Sequence, residues 1–285
     1  VLGPRLNAAG RLAHARQAFD LLLCRDEGEA RELARSLSSL NRERQRLTEA
    51  ALARAREAVE SGPGGHLIFV ADPDTPAGIV GLVASRLAEE YHRPAFVCER
   101  GEALSRGSAR SIPGFDVAAA LQSCSGLLIK HGGHPQAAGF TAPTENLEAL
   151  ARMLTERAAQ ELEGADHSPC LEIDAVLPLR ALRGELLGWL DRFRPHGPGN
   201  PEPVFVATGV TVADVRLAGP EGQHLRLKLK DGSVTWPAFG LRLGDKAPEV
   251  GQRLDVVYSV VRERGDDVAL ELRLHDLRPS ARAAP

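Results

Sequence analysis

The sequence KHGGHPQAAGF, residues 130–140, is the stretch on which the interpretation of the whole chain depends. Gly132 and Gly133 remove side chains where the backbone must turn sharply or lie close to another group. Pro135 suits the first position of a helix, and the small residues after it predict a closely packed first turn. A glycine turn, His134 and a helix N-terminus could together bind an anion, because backbone N–H groups and the helix dipole attract phosphate. The alternative is a tight turn into a closely packed helix.

The sequence RGSARS, residues 106–111, is a second candidate anion site. It ends a predicted strand that begins at Leu104, and in a strand Ser108 and Arg110 project to one face. A hydroxyl beside a guanidinium makes a good clamp for a phosphate. The alternative is an exposed edge strand that happens to carry an arginine.

The sequence GPRLNAAGR, residues 3–11, carries Arg5 and Arg11. Two arginines around a turn can hold phosphate in a fixed geometry, although a surface turn before a helix is the simpler interpretation. Apolar residues then recur at spacings of three and four, which predicts an amphipathic helix over residues 26–60. Such a helix is on the order of 50 Å long, a length that suits a strut between two domains.

Short strands and helices alternate between residues 66 and 164, which predicts an α/β layer structure. The predicted strands cover residues 67–71, 94–98 and 104–111, and the predicted helices cover residues 78–90, 116–122 and 144–162. A proline- and glycine-rich segment, residues 194–203, separates this region from a run of strand patterns. These strands are predicted at residues 204–217, 223–230, 233–240, 253–261 and 268–277. Five strands in a domain of this size suit an OB-like barrel.

The second of these strands, QHLRLKLK at residues 223–230, alternates basic residues with leucines. Its basic side chains are those of His224, Arg226, Lys228 and Lys230. Strand geometry puts the basic groups on one face and the leucines on the other. A solvated barrel exterior is the usual explanation, but four unopposed basic positions on a mildly acidic protein favour a polyanion such as nucleic acid. Trp236 could stack on a base, although a core position beside Phe239 is the preferred interpretation.

Composition limits the class of protein. With 285 residues the chain is expected to form two or more domains, and 43% apolar and 26% charged residues indicate a soluble globular protein. The net charge of -3 excludes a global basic field, so nucleic-acid binding has to come from local patches. Four widely spaced cysteines indicate reduced thiols in the cytoplasm, with neither a zinc site nor a disulfide framework. No apolar run spans a bilayer and no signal peptide is visible, so no membrane partner is expected.

Four motifs, in order and spacing, resemble the RecJ single-strand-specific exonucleases of the DHH phosphoesterase superfamily. They are GPRLNAAGR (3–11), GIVGLVASRL (78–87), RGSARSIPG (106–114) and GGHPQAAGF (132–140). The resemblance implies an α/β DHH-associated domain that follows a long connecting helix and precedes a five-stranded OB-like β-barrel. The implied boundaries are 1–62 for the end of the catalytic domain and the helix, 63–165 for the DHH-associated domain, 166–203 for a helical linker and 204–279 for the OB-like domain.

Two departures from the family pattern matter. The aspartate and DHH motifs that bind metals are absent, and the chain starts with Val1 within a motif, so we expect a fragment of a longer protein. Pro76 stands where many relatives have a histidine, which leaves the role of that position open.

The resemblance also implies a function: the substrate-binding portion of a 5′→3′ single-stranded-DNA exonuclease of DNA repair and recombination. Two Mn²⁺ or Mg²⁺ ions would be held by an N-terminal domain that the sequence lacks, so this chain alone is expected to be inactive. Single-stranded DNA is the expected partner, other DNA-repair proteins are further candidates, and a monomer is expected. The implied roles are 5′-phosphate binding by Ser108, Arg110, Gly132 and Gly133, catalysis by His134, and DNA binding by Arg5, Arg11 and the basic residues of 223–230.

Two alternatives stay open. A DHH-type phosphodiesterase of short oligonucleotides or dinucleotides would use the same glycine and histidine site, but it has little need of the QHLRLKLK strand. A non-catalytic DNA-binding adaptor would keep the fold for docking, and metal ligands upstream of this sequence would exclude it.

Overall fold

The computed structural model describes residues 2–62, 64–164, 170–262 and 270–281, and the chain divides into two units, Val1–Pro169 and Cys170–Pro285. The first unit holds an α/β sheet preceded by a long helix, and the second holds a closed five-stranded barrel. The predicted fold class is therefore confirmed. The predicted domain boundaries stay predictions.

Three helices begin the first unit: α1 (Leu2–Leu12), α2 (Arg16–Leu23) and α3 (Glu27–Ser61). The predicted helix over residues 26–60 is confirmed to within one residue as α3. Asp26 caps its N-terminus, where Oδ1 accepts a hydrogen bond from the Glu29 N–H at 2.8 Å. The predicted apolar stripe packs α3 against α1, α2 and the sheet, and it includes the buried side chains of Leu37, Ala51 and Ala55.

Residues 3–11, predicted as an arginine-bearing turn, form helix α1 instead. Ala8 and Ala9 are fully buried, and such small side chains let α1 pack closely against α3. Arg5 and Arg11 are six residues apart, which places them about 120° apart around a helix. The two arginines therefore do not bracket one phosphate-binding turn.

The sheet of the first unit has five strands in the order β1-β2-β3-β5-β4, of which only the β1–β2 pair is parallel. The strands are β1 (Ile68–Asp72), β2 (Ala95–Glu99), β3 (Leu104–Arg110), β4 (Lys130–His134) and β5 (Ala137–Pro143). The remaining helices are α4 (Val80–Tyr91), α5 (Val117–Ser123) and α6 (Leu147–Leu162). Helices α3 and α4 pack on one face, here called the α4 face, and α5 and α6 pack on the other. Because β3 is an internal strand, the edge-strand alternative for residues 106–111 is wrong.

The stretch GGHPQAAGF forms a β-hairpin, so the predicted helix N-terminus at Pro135 is wrong. Strands β4 and β5 pair antiparallel with His134 opposite Ala137, which leaves a two-residue turn between them. Ala138 and Phe140 are buried, and the residue between them is exposed, as the period of two of a strand requires. Pro135 misled the prediction because its fixed φ suits a turn as well as the start of a helix. The helix dipole therefore contributes nothing to anion binding at this stretch.

The second unit is a barrel in which the strand order β7-β8-β9-β11-β10 is closed by pairing of β10 with β7. Its elements are β6 (Ala175–Val176), α7 (Glu185–Arg192), β7 (Phe205–Ala218), β8 (His224–Asp231), β9 (Val234–Gly240), β10 (Arg253–Arg262) and β11 (Leu270–Pro279). The five predicted strands are confirmed, although residues 268 and 269 of the last prediction lie outside the described residues. Leu179 and Leu182, which precede α7, are buried in the barrel core.

The four cysteines, Cys24, Cys98, Cys124 and Cys170, are all free thiols. Burial raises the pKa of Cys98 to about 12, so this thiol is unreactive at neutral pH. Within the part of the chain that the structure describes, no helix combines the length and the apolar character needed to cross a membrane.

Candidate nucleic-acid interface

Ser108 and Arg110 lie together on the α4 face of β3, as the alternation of a strand predicts. Arg110 Nη1 donates hydrogen bonds to Ser108 Oγ at 2.7 Å and to the Ala109 carbonyl oxygen at 2.8 Å. Ser108 Oγ in turn donates to the Ala138 carbonyl oxygen at 3.3 Å. These bonds fix the plane of the guanidinium before any ligand arrives. A fixed guanidinium fork suits the bidentate recognition of a phosphate.

Arg110 belongs to a cluster of like charges with Arg11 and Arg44, here called the arginine cluster. Burial lowers the pKa of Arg110, and the charge of Arg11 lowers it further. The same two causes lower the pKa of Arg44, so Arg11 lies close to both guanidinium groups. None of the three forms an ion pair with a carboxylate among the described residues, and Arg44 Nε is buried without a hydrogen-bond partner there. Because the guanidinium groups of arginine are positively charged, an anion would stabilise the cluster.

Two glycines at the start of α4 make room for this arrangement. A Cβ at Gly78 would collide with the Arg11 carbonyl oxygen, and Arg11 Nη1 donates to the Gly78 carbonyl oxygen at 3.3 Å. A Cβ at Gly81 would lie 3.0 Å from Arg110 Nη2 and 3.2 Å from Ser108 Oγ. Sequence reasoning gave these glycines no role. The available signal was two glycines three residues apart at a helix start, where glycine costs helix stability and so indicates close approach.

His134 shares the α4 face with Arg110. Arg110 pairs with Ala137 on β5, and Ala137 pairs with His134 on β4, so the three form one row across the sheet. Directly paired residues of antiparallel strands point to the same face. His134 is exposed and lies two strands from Arg110, or about 10 Å between backbones.

The two glycines of the hairpin differ in position. Gly132 lies in the next row with Gly139 and Ser108, on the α4 face. Gly133 has the opposite parity, and a Cβ there would collide with the Ala137 carbonyl oxygen. The fold of the hairpin alone therefore accounts for Gly133, whereas Gly132 lies beside the candidate phosphate site.

The N-terminal arginines also differ. Arg11 joins the arginine cluster, whereas Arg5 is half-buried on another side of α1 and already takes part in interactions within the chain. Pro76 lies in the loop before α4, where its carbonyl oxygen accepts a hydrogen bond from the Ile79 N–H at 3.0 Å.

Strand β8 of the barrel shows the predicted alternation. Its leucines are buried in the barrel core, and Arg226, Lys228 and Lys230 are exposed. The prediction of four unopposed basic positions is wrong for Arg226, because its Nη1 lies 3.6 Å from Glu271 Oε1. Lys228 and Lys230 form no ion pair with any residue that the structure describes. His224 Nδ1 accepts a hydrogen bond from the Arg242 N–H at 3.2 Å.

The aromatic ring on the outer face of the barrel is that of Phe239. The guanidinium of Arg226 lies 5.3 Å from the Phe239 ring centroid, and the His224 ring meets it edge-on at 5.8 Å. Trp236 packs against the barrel core instead, and its Nε1 donates to the Leu179 carbonyl oxygen at 3.2 Å. The predicted core position of Trp236 is confirmed, but its predicted place beside Phe239 is wrong, because the two rings lie on opposite faces of β9. Phe239 was missed as a candidate for base stacking, although it is three residues from Trp236 and so must face the other way.

The described residues contain no group of three His, Cys, Asp or Glu side chains that could hold a metal ion. Two neighbouring carboxylates, those of Asp72 and Asp74, lie at the end of β1 and just after it. Asp72 accepts hydrogen bonds from Arg54 Nη2 at 2.7 Å and from the Asp74 N–H at 2.9 Å. Burial alone would raise the pKa of Asp72, but hydrogen bonds from Thr75, the Asp74 N–H and Arg54 lower it below its ordinary value. This carboxylate is therefore part of the loop structure, and a divalent ion does not fit the residues described.

Two family models match the chain: the DHHA1 domain over residues 64–160 and the RecJ OB domain over residues 173–276. The chain is 34% identical to the single-stranded-DNA-specific exonuclease RecJ of Bacillus subtilis over 90% of this chain and 33% of that protein. It is 35% identical to RecJ of Thermus thermophilus over 87% of this chain and 35% of that protein. The chain thus spans about a third of the length of these two curated relatives.

Solved structures give the same assignment. The crystal structure of Thermus thermophilus RecJ in complex with Mn²⁺ matches with a TM-score of 0.79 and 32% identity, over 98% of this chain and 41% of that one. The structure of the same protein with Mg²⁺ matches with a TM-score of 0.77 and 31% identity, over 98% of this chain and 43% of that one. The chain therefore contains a DHHA1 domain followed by a RecJ OB domain, and it is homologous to the RecJ exonucleases over about nine tenths of its length.

Proposed function

We propose that this chain is the DNA-holding portion of a 5′→3′ single-stranded-DNA exonuclease that acts in DNA repair and recombination. The observation that carries the proposal is the arginine cluster beside Ser108, which is positively charged, prearranged and without a carboxylate partner among the described residues. The relatives are named as single-stranded-DNA-specific exonucleases, which supports the same assignment. We propose further that the enzyme works in the cytoplasm as a monomer.

In this proposal Arg110 and Ser108 bind the 5′-terminal phosphate of the strand. The hydrogen bonds to Ser108 Oγ and the Ala109 carbonyl hold the guanidinium in place, so little side-chain freedom is lost on binding. Arg11 and Arg44 add positive charge from α1 and α3. A terminal phosphate carries more negative charge than an internal phosphodiester, so the cluster would prefer a 5′-phosphorylated end.

His134, Gly132 and Gly133 complete the proposed site in different ways. His134 is exposed on the same face as Arg110 and would donate a hydrogen bond to the bound strand near the cleaved bond. Gly132 leaves the sheet surface open beside Ser108, and Gly133 keeps the hairpin tight. On the barrel, Lys228 and Lys230 would contact phosphates, with His224 and Arg226 beside them supporting the Phe239 ring for base stacking. Arg5 would act on DNA binding only indirectly, through its interactions within the chain at α1.

Divalent ions would activate water and stabilise the leaving oxygen in the complete enzyme. The described residues contain no group of three His, Cys, Asp or Glu side chains for such ions, and we propose that the metal ligands belong to another part of the enzyme. We therefore expect the purified chain to bind single-stranded DNA without hydrolysing it. Mn²⁺-dependent hydrolysis by the chain alone, lost on EDTA treatment, would contradict this.

The test is fluorescence anisotropy with a short single-stranded DNA that does or does not carry a 5′ phosphate. Arg110→Ala should abolish the preference for the 5′ phosphate. The affinity for 5′-phosphorylated DNA should fall roughly 10- to 150-fold, as expected when a charge-assisted hydrogen bond is lost. Arg110→Lys should restore only part of it, because lysine keeps the charge and loses the fork. Arg31→Ala is the matched control, since Arg31 is exposed and already paired with Glu27 at 2.6 Å. Equal binding of both DNAs by the unmodified chain would contradict the proposed phosphate site.

A further inference from the structure

Two glycines on the α4 face have no explanation within the protein itself. Gly132 on β4 and Gly139 on β5 are directly paired, and both are exposed. A Cβ at Gly132 would meet nothing within 4 Å, and a Cβ at Gly139 would meet only the Gly107 carbonyl oxygen at 3.8 Å. Neither residue has a positive φ that would exclude other side chains. Glycine weakens a strand, so its presence at both positions indicates that something lies close to the backbone there.

Neighbouring glycines of the same sheet show the contrast. A Cβ at Gly107 would collide with the Phe140 ring, and a Cβ at Gly133 would collide with the Ala137 carbonyl oxygen. The fold therefore requires glycine at residues 107 and 133. It does not require glycine at residues 132 and 139, which together form a bare patch of backbone that we call the glycine floor.

Basic side chains border the glycine floor on two sides. The strand register places Arg110 and His134 in the row on one side, and Arg106 and Lys130 in the row on the other, with Thr141 between them. Adjacent rows of one face are about 7 Å apart along the strands. Long basic side chains on both borders can therefore reach a single group that lies on the floor.

The second border carries net positive charge. Arg106 and Lys130 are exposed, and neither forms an ion pair with any residue in the described ranges. The acidic residue facing this row is Glu99, which pairs with Arg106 in the strand register on the β2 side. The border thus has two positive groups against one negative group, and Lys130, on the outer strand, is three strands away from Glu99.

We infer that the glycine floor seats the first nucleotide of a bound DNA strand, and that Arg106 and Lys130 bind the phosphodiester that follows it. The inference rests on the proposed function, because it takes the 5′ phosphate to be at Ser108 and Arg110. The floor lets the sugar-phosphate chain lie directly on the sheet, where a side chain at either glycine would hold it away. Arg106 and Lys130 then recognise an internal phosphodiester, a group that a mononucleotide lacks.

Ligand length separates this inference from the proposed function. The probe is a fluorescent 5′-phosphorylated single-stranded DNA bound to the full chain, displaced by 5′-phosphorylated thymidine oligomers of one, two or three nucleotides. Arg106→Ala and Lys130→Ala should each weaken competition by the dimer and trimer about tenfold and leave the monomer unchanged. Arg152→Ala is the matched control, because Arg152 is an exposed arginine on α6, which covers the opposite face of the same sheet.

The glycine floor is tested with Gly132→Ala and Gly139→Ala. Each should weaken binding of all three oligomers while the thermal unfolding temperature stays the same or rises, since alanine fits both sites in the free protein. Unchanged competition by the four variants, in a chain that still prefers a 5′ phosphate through Arg110, would overturn the inference alone. A chain without any 5′-phosphate-dependent binding would overturn the proposed function and the inference with it.

Discussion

The salt dependence of DNA binding should separate the lysines of β8 from other lysines of the barrel. Lys228 and Lys230 are exposed without an ion pair among the described residues, so each can release a counterion from a bound phosphate. For single strands each phosphate contact contributes about 0.7 to the slope of log K against log salt concentration. The double substitution Lys228→Ala and Lys230→Ala should therefore reduce the slope by about 1.4. Between about 50 and about 200 mM salt, the affinity difference between the unmodified chain and the variant should shrink roughly sevenfold.

The matched control is Lys246→Ala. Lys246 is on the same barrel and its side chain is 48% exposed, but its Nζ is paired with Asp276 Oδ1 at 2.7 Å. Its removal should leave the slope unchanged. Arg226→Ala should give a change smaller than 0.7, because Glu271 already opposes that charge. Fluorescence anisotropy with a 5′-hydroxyl oligonucleotide at several salt concentrations measures the slope for the double lysine variant, for Lys246→Ala and for Arg226→Ala. Equal slope changes for the β8 lysines and Lys246, or an unchanged slope for the double variant, would refute the reasoning.

Three further predictions concern stacking, packing and pH. Phe239→Leu should weaken single-stranded-DNA binding roughly 5- to 150-fold at fixed salt in the anisotropy assay, because it removes one base-stacking contact. Gly107→Ala should lower the free energy of unfolding of the first unit by about 1–3 kcal/mol in denaturant titrations, because the added methyl collides with the Phe140 ring. Asp72→Asn should destabilise that unit at pH 7. The difference should disappear as the pH falls below the ordinary aspartate pKa of about 3.9 and through the lowered folded value, since the Arg54-paired carboxylate is then protonated in both states.

Each of these predictions has a control. Trp236→Leu should lower the stability of the barrel, because Trp236 packs against the core. If Phe239→Leu lowers the stability of the barrel as well as the affinity for DNA, the loss of affinity would not indicate stacking. Gly126→Ala should be neutral, since a Cβ there meets nothing within 4 Å, and a neutral Gly107→Ala would contradict the collision. Asp74→Asn should keep the hydrogen bond that the backbone N–H of residue 74 donates to Asp72. If its stability depends on pH in the same way as that of Asp72→Asn, the pH dependence does not come from the Asp72 carboxylate.

The overall fold was predictable where the signal was local and repeated. Helix α3 follows from apolar residues at spacings of three and four with an aspartate at the N-cap, and the structure begins it at Glu27. The barrel strands follow from alternation, most clearly on β8, whose leucines fill the core. The shared face of Ser108 and Arg110 is a consequence of the same alternation. These features depend on the helical and strand periods, which can be read from a short stretch of sequence without its tertiary contacts.

Short segments without a period could not be assigned in this way. Residues 132–140 are mostly small and contain a proline, so a turn, a helix start and a hairpin were all compatible with them. Pairing with β3 and burial of Phe140 decided for the hairpin, and both are contacts with residues distant in sequence. Residues 3–11 became a helix because Ala8 and Ala9 pack against α3.

The sequence by itself determined the resemblance to RecJ, the long helix, the barrel and the shared face of Ser108 and Arg110, because motifs and periods are local properties. Only the tertiary structure decided which charges meet. It brings Arg11 of α1 close to Arg110 of β3 and to Arg44 of α3, and it places Glu271 of β11 against Arg226 of β8 on the outer face of the barrel. It also aligns Gly132 with Gly139 on an open face. Charge and steric interactions act through space, so their partners depend on how distant segments pack.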